Sequence, residues 1–81
     1  MHHTYILFSK SKNKYYIGST SNIQDRIIKH NSNHKGFTGK MNDWEIVYLE
    51  EFDSIQKARI REKQIKNWKS RIMIENLINK V

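Results

Sequence analysis

Two short runs of β-branched and aromatic residues, Thr4 to Ser9 (Thr-Tyr-Ile-Leu-Phe-Ser) and Lys14 to Gly18, stand four polar residues apart. A polar, turn-like connection of that length, Lys10-Ser11-Lys12-Asn13, between two strand-forming runs reads as a β-hairpin. With the loop centred between residues 10 and 11, Tyr5 falls across from Tyr16 on the same face of the sheet. Two phenols then stand side by side, a pairing that a core can use for packing and an active site can use for proton chemistry.

The rest of the chain alternates elements in the same economical way. Ser21-Asn22-Ile23-Gln24 has capping-box form, with Ser21 as the cap, and predicts a helix from about Asn22 to His30. Ile23 and Ile27 form its buried seam, and Arg26 and His30, one turn apart, share an adjoining face. Asn31 to Asp43 is rich in Asn, Ser, Gly and Lys without periodicity and reads as an exposed loop. Trp44 to Phe52 is a third strand, apolar enough on both sides to expect a central or well-covered position. Asp53 or Ser54 caps a long helix to about Trp68. A last helix from Ser70 or Arg71 to about Asn79 offers Ile74, Leu77, Ile78 and Val81 to the core. Residues 1–81 therefore read as one α+β domain.

Composition narrows what such a domain does. Without cysteine there are no disulfides and no thiolate metal sites, which suits a reducing, cytoplasmic setting. No apolar run is long enough to span a bilayer and no secretory leader is present, so a soluble protein away from the membrane is expected. The formal charge of +7 draws polyanions. It is concentrated in Lys57, Arg59, Arg61, Lys63, Lys66, Lys69 and Arg71, a stretch in which Glu62 is the lone acid. A nucleic-acid backbone is the obvious partner for that stretch.

Glu62 breaks the pattern of the long helix. Ile55, Ala58, Glu62, Ile65 and Lys69 follow one another by three or four residues and trace a single stripe, so a carboxylate lands on the side that packs. Taking it from water costs several kcal/mol unless a cation or donors compensate. Two partners meet that need: a neighbouring Lys or Arg in a structural ion pair, or a hard divalent cation such as Mg²⁺, which takes oxygen ligands and keeps several waters; the side chain can also avoid the cost by snorkelling to the edge of the stripe.

Tyr5 and Tyr16 carry the same ambiguity between packing and chemistry. A free phenol, with a pKa of about 10, is a poor base at neutral pH, but a metal-bound water and nearby cations favour the phenolate. The planar fork of Arg26 matches the oxygens of a phosphate. His30 and His34 have a spacing seen in zinc sites, but no cysteine or adjacent carboxylate completes a set, and zinc is excluded.

In order, Tyr5, Tyr16-Ile17-Gly18-Ser19-Thr20, Arg26, His30 and Arg61-Glu62-Lys63-Gln64 resemble the GIY-YIG nuclease family, the group that includes the catalytic domains of homing endonucleases and of the bacterial excinuclease. The first motif keeps only its tyrosine, reading His3-Thr4-Tyr5, and Ser19 stands where some relatives carry lysine. The resemblance implies a three-stranded antiparallel sheet flanked by helices in the order ββαβαα, and hydrolysis of DNA phosphodiesters with one divalent metal, Mg²⁺ or Mn²⁺. It also implies roles: Tyr16 as general base or activator of water, Tyr5 assisting, Arg26 on the phosphate, His30 supporting or sharing proton transfer, and Glu62 holding the metal.

A body of this size offers charge and a cleft but little base readout. We therefore expect low intrinsic sequence specificity, with targeting left to DNA structure or to a protein partner. The rival expectation is a catalytically inactive nucleic-acid-binding module on the same scaffold.

Overall fold

The structure, a computed structural model, describes residues 1–31 and 43–80. The order is β1 (His2–Ser9), β2 (Lys14–Thr20), α1 (Ile23–Asn31), β3 (Trp44–Phe52), α2 (Ile55–Trp68) and α3 (Arg71–Asn79). The three strands form one antiparallel sheet in the order β2-β1-β3, as the α+β expectation requires. Most of the expected loop, including His34, and the last core candidate, Val81, lie outside the described residues. No helix among the described residues is long and apolar enough to cross a membrane.

β1 sits in the middle and is covered on both faces, which is why Thr4, Tyr5, Ile6 and Leu7 are all fully buried. Successive side chains point to opposite faces. Tyr5 and Leu7 join Trp44 under Ile23 and Ile27 of α1. Ile6 joins Ile17 and Ile65 beneath α2 and α3, with Trp68, Ile74, Leu77 and Ile78 around them. Thr4, pointing the same way as Ile6, donates its hydroxyl to the Ala58 carbonyl at 2.6 Å and so ties α2 to the central strand.

Two expectations are corrected here. β3 is an edge strand rather than a central one, and Ile46 and Leu49 remain 41% and 44% exposed. Its pairing with β1 jumps from Ile6↔Tyr48 to Leu7↔Ile46, leaving Val47 as the extra residue of a bulge. Val47 and Tyr48 consequently both pack toward α2 and α3. A bulge breaks the inside–outside alternation, and the sequence then resembles a strand covered on both sides.

The hairpin register differs as well: Tyr5 faces Gly18 and Leu7 faces Tyr16. The turn is the whole Lys10-to-Asn13 connection between paired Ser9 and Lys14, closed by Asn13 in the left-handed region at φ 55°. Because the slip is an even number of residues, the two tyrosines keep a common face.

Capping sets the helix starts. Ser54 accepts from Lys57 N at 3.2 Å for α2, and Ser70 from Met73 N at 3.3 Å for α3. For α1 the cap is Asn22, whose Oδ1 accepts from Asp25 N at 3.1 Å, and not Ser21. β2 runs on to Thr20, whose Oγ1 accepts from Asn22 N at 3.0 Å, so the helix begins one residue later than the capping-box pattern suggests.

The hairpin turn is itself tied down by a carboxylate. Asp43 accepts from Ser9 Oγ at 2.6 Å and from Ser11 N at 2.8 Å, and these bonds hold its pKa below the ordinary value of 3.8. A lowered folded-state value stabilises the fold above the unfolded pKa, and the contribution fades as pH falls through the folded value. Asp43→Asn should therefore lose less stability than the wild type between pH 5 and pH 2.5, read as the shift in urea midpoint between those two conditions. Equal shifts in the two proteins would show that this contact contributes nothing.

Candidate active site

The two faces of the sheet each supply part of the site. On the α1 face, Tyr5 and Tyr16 lie with ring centroids 6.4 Å apart, and His30 sits over both, 6.0 Å from Tyr5 and 4.7 Å from Tyr16. Trp44 closes the group, 6.2 Å from Tyr16 and 6.4 Å from His30. The position of Trp44 is fixed by Asn31, whose side chain pairs with its backbone like a strand: Trp44 N donates to Oδ1 at 2.8 Å and Nδ2 donates to the Trp44 carbonyl at 3.1 Å. The end of α1 is thereby clamped to the start of β3.

Tyr5 Oη and His30 Nε2 are 3.1 Å apart. Burial is the main cause of a raised Tyr5 pKa. The Arg26 guanidinium beside the phenol opposes it, and Tyr16 and Glu62 add smaller upward pushes. Tyr5 accordingly keeps its proton at neutral pH and can donate to Nε2 of an imidazole that carries its own hydrogen on Nδ1. Arg26 is partly buried, and its Nε has no hydrogen-bond partner among the described residues. A buried donor beside the Tyr5 phenol without a partner among the described residues is a feature that a bound ligand or water would account for.

Gly18 explains how the phenol reaches the rim of the sheet. The Tyr5 ring lies directly across it, and a Cβ at position 18 would stand 2.4 Å from Tyr5 Oη and 2.6 Å from Cζ. Only a residue without a side chain leaves that path clear.

On the other face, Ser19 points toward α2 opposite Thr4 and donates to Glu62 Oε1 at 2.6 Å. Lys66, one turn further along α2, donates to Oε2 at 2.6 Å. The Glu62 side chain is 20% exposed, at the edge of the stripe that buries Ala58 and Ile65. Of the two partners the sequence left open, the ion pair is the one present. Across the strand, Glu62 is still near enough to push the Tyr5 pKa upward.

The five expected residues are thus gathered around the Tyr16-to-Ser19 stretch of an edge strand, four on one face and Glu62 on the other. A cleft of about 360 Å³ lies elsewhere, between β3 and α2, bounded by Glu50, Phe52, Lys57, Ile60, Arg61 and Gln64, and includes none of the five.

Sequence reasoning missed Ser19 and Lys66 as partners of Glu62, and Trp44 and Asn31 as supports for His30. Only Lys66 carried a signal, its spacing of four from Glu62. As a metal site the donor set is sparse and hard. No group of three or more His, Cys, Asp or Glu side chains suited to a metal occurs among the described residues. A single carboxylate flanked by a hydroxyl fits a Mg²⁺-like ion that retains most of its water.

No individual curated protein and no solved structure matches the chain, but residues 1–78 match the GIY-YIG catalytic domain. With nearly all of its 81 residues covered by that match, the chain belongs to the GIY-YIG nuclease superfamily.

Proposed function

We propose that this protein is a divalent-metal-dependent endonuclease that hydrolyses DNA phosphodiester bonds. The observation that carries the proposal is the convergence of Tyr5, Tyr16, Arg26 and His30 with Glu62 at the rim of β2. Glu62 would hold Mg²⁺ or Mn²⁺, which supplies Lewis-acid stabilisation of the phosphate and a more acidic water. Arg26 binds the phosphate oxygens through the guanidinium whose Nε is unpartnered. Tyr16 Oη, entering the step as the phenolate, would orient the attacking water and take up its proton, which then passes to the leaving oxygen. Tyr5, protonated and fully buried, would fix His30 through the Oη–Nε2 bond, and His30 would support the Tyr16 ring.

The charge pattern supports a polyanionic substrate. Of the seven cations from Lys57 to Arg71, four are held by carboxylates: Lys57 by Asp53, Arg61 by Glu50, Lys66 by Glu62 and Arg71 by Glu75. Arg59, Lys63 and Lys69 are exposed and in no ion pair among the described residues, which leaves them for phosphate. A small sheet and three short helices offer little base readout, so low sequence preference belongs to the proposal, with DNA structure or a protein partner directing the enzyme.

Incubation with supercoiled, branched and single-stranded DNA tests it. Nicking should require Mg²⁺ or Mn²⁺, stop with EDTA, and fall at least a hundredfold in Glu62→Ala. Salt-sensitive DNA binding without nicking on any substrate would replace the endonuclease by a non-catalytic binding module.

A further inference from the structure

Glu62 presents its two oxygens to two very different donors. Ser19 Oγ holds Oε1 from a strand whose backbone is fixed by pairing with Thr4, and a serine side chain is too short to follow the carboxylate if it turns away. Lys66 Nζ holds Oε2 from the end of a four-carbon stem, its side chain 50% exposed. Exposed ion pairs one helical turn apart are among the weakest in proteins, because screening and side-chain entropy offset most of the attraction.

Resting on Glu62 as the metal ligand, we propose that Lys66 is the resident counter-ion of the metal site. Its ammonium neutralises the carboxylate while no metal is bound, and an arriving divalent ion displaces it from Oε2 while Ser19 keeps Oε1 in place. This adds a regulatory element to the site. The carboxylate, pressed against β2 and largely hidden from water, is never left uncompensated, and the resting protein binds metal more weakly than its ligand geometry alone would allow. Once displaced, Lys66 lies beside the site as a mobile cation and pairs with the phosphate that DNA brings. Metal and DNA then favour each other's binding through one side chain.

Mn²⁺ binding to the full chain without DNA, followed by the loss of the free-ion electron paramagnetic resonance signal, tests this apart from activity. Lys66→Met should bind Mn²⁺ about two- to fivefold more tightly than wild type. Lys66→Arg should show no gain, since a guanidinium forks onto the carboxylate at least as well. Lys63→Met removes the same charge from the same helix and should change affinity less than Lys66→Met, which separates direct competition from the general field. Lys66→Gln repeats the test if the methionine variant folds poorly by its thermal midpoint. Equal affinity in wild type and Lys66→Met, or an equal gain from Lys63→Met, overturns the proposal. If Glu62→Gln binds Mn²⁺ as well as wild type, the assignment of Glu62 as ligand falls instead.

Discussion

Gly18→Ala should remove most of the stability of the fold. The added methyl group would meet Tyr5 Oη at 2.4 Å and Cζ at 2.6 Å, and Tyr5 is fully buried, with His30 and Tyr16 against it. A rigid ring so enclosed cannot swing aside without moving the site around it. Overpacking of this kind costs about 3 kcal/mol, a large part of the roughly 5 kcal/mol expected for a small domain. Urea denaturation should show a lower midpoint with the slope preserved. The two positions should also couple: in a Tyr5→Leu background, where no ring crosses position 18, the same alanine should cost at least about 1.5 kcal/mol less. Additive effects would mean that the ring and the glycine do not meet as described.

Tyr16→Phe should cost far more activity than Tyr5→Phe, although both remove one phenolic oxygen. Tyr5 is sealed in the core with its pKa raised chiefly by burial, so it holds its proton and acts through His30. Its loss removes a positioning hydrogen bond, and we expect about a tenfold drop in nicking rate with about 1 kcal/mol of stability. Tyr16 is only partly buried, its ring tilted at 58° against the same imidazole with centroids 4.7 Å apart, and the proposed mechanism gives it the proton of the attacking water. Loss of a group that handles the proton of the reacting water should lower the single-turnover rate by roughly a hundredfold or more, with little change in stability. Should the two variants lose activity equally, the division of labour between the phenols is wrong.

The helices were legible from the sequence because they depend on local information. Ser54 and the apolar stripe define α2, and the spacing of Arg26 and His30 puts both on one side of α1. The shared face of Tyr5 and Tyr16 survived a misplaced turn, since two-residue alternation tolerates an even slip. Two other features depend on residues distant in sequence. The edge position of β3 and its bulge at Val47 appear only when β1 is laid beside it. The approach of Glu62 from the opposite face depends on how α2 is hung on Thr4 and met by Ser19. An inward carboxylate announces that it needs a partner, but not which of several nearby cations and hydroxyls will serve.

The rim position of the reactive groups also bears on the shape of molecule the protein can process. β2 borders the sheet, and no strand pairs beyond it among the described residues. Under the proposed endonuclease activity, a polymer crossing that border needs no free end to enter, so a covalently closed circle should be nicked as readily as a linear fragment.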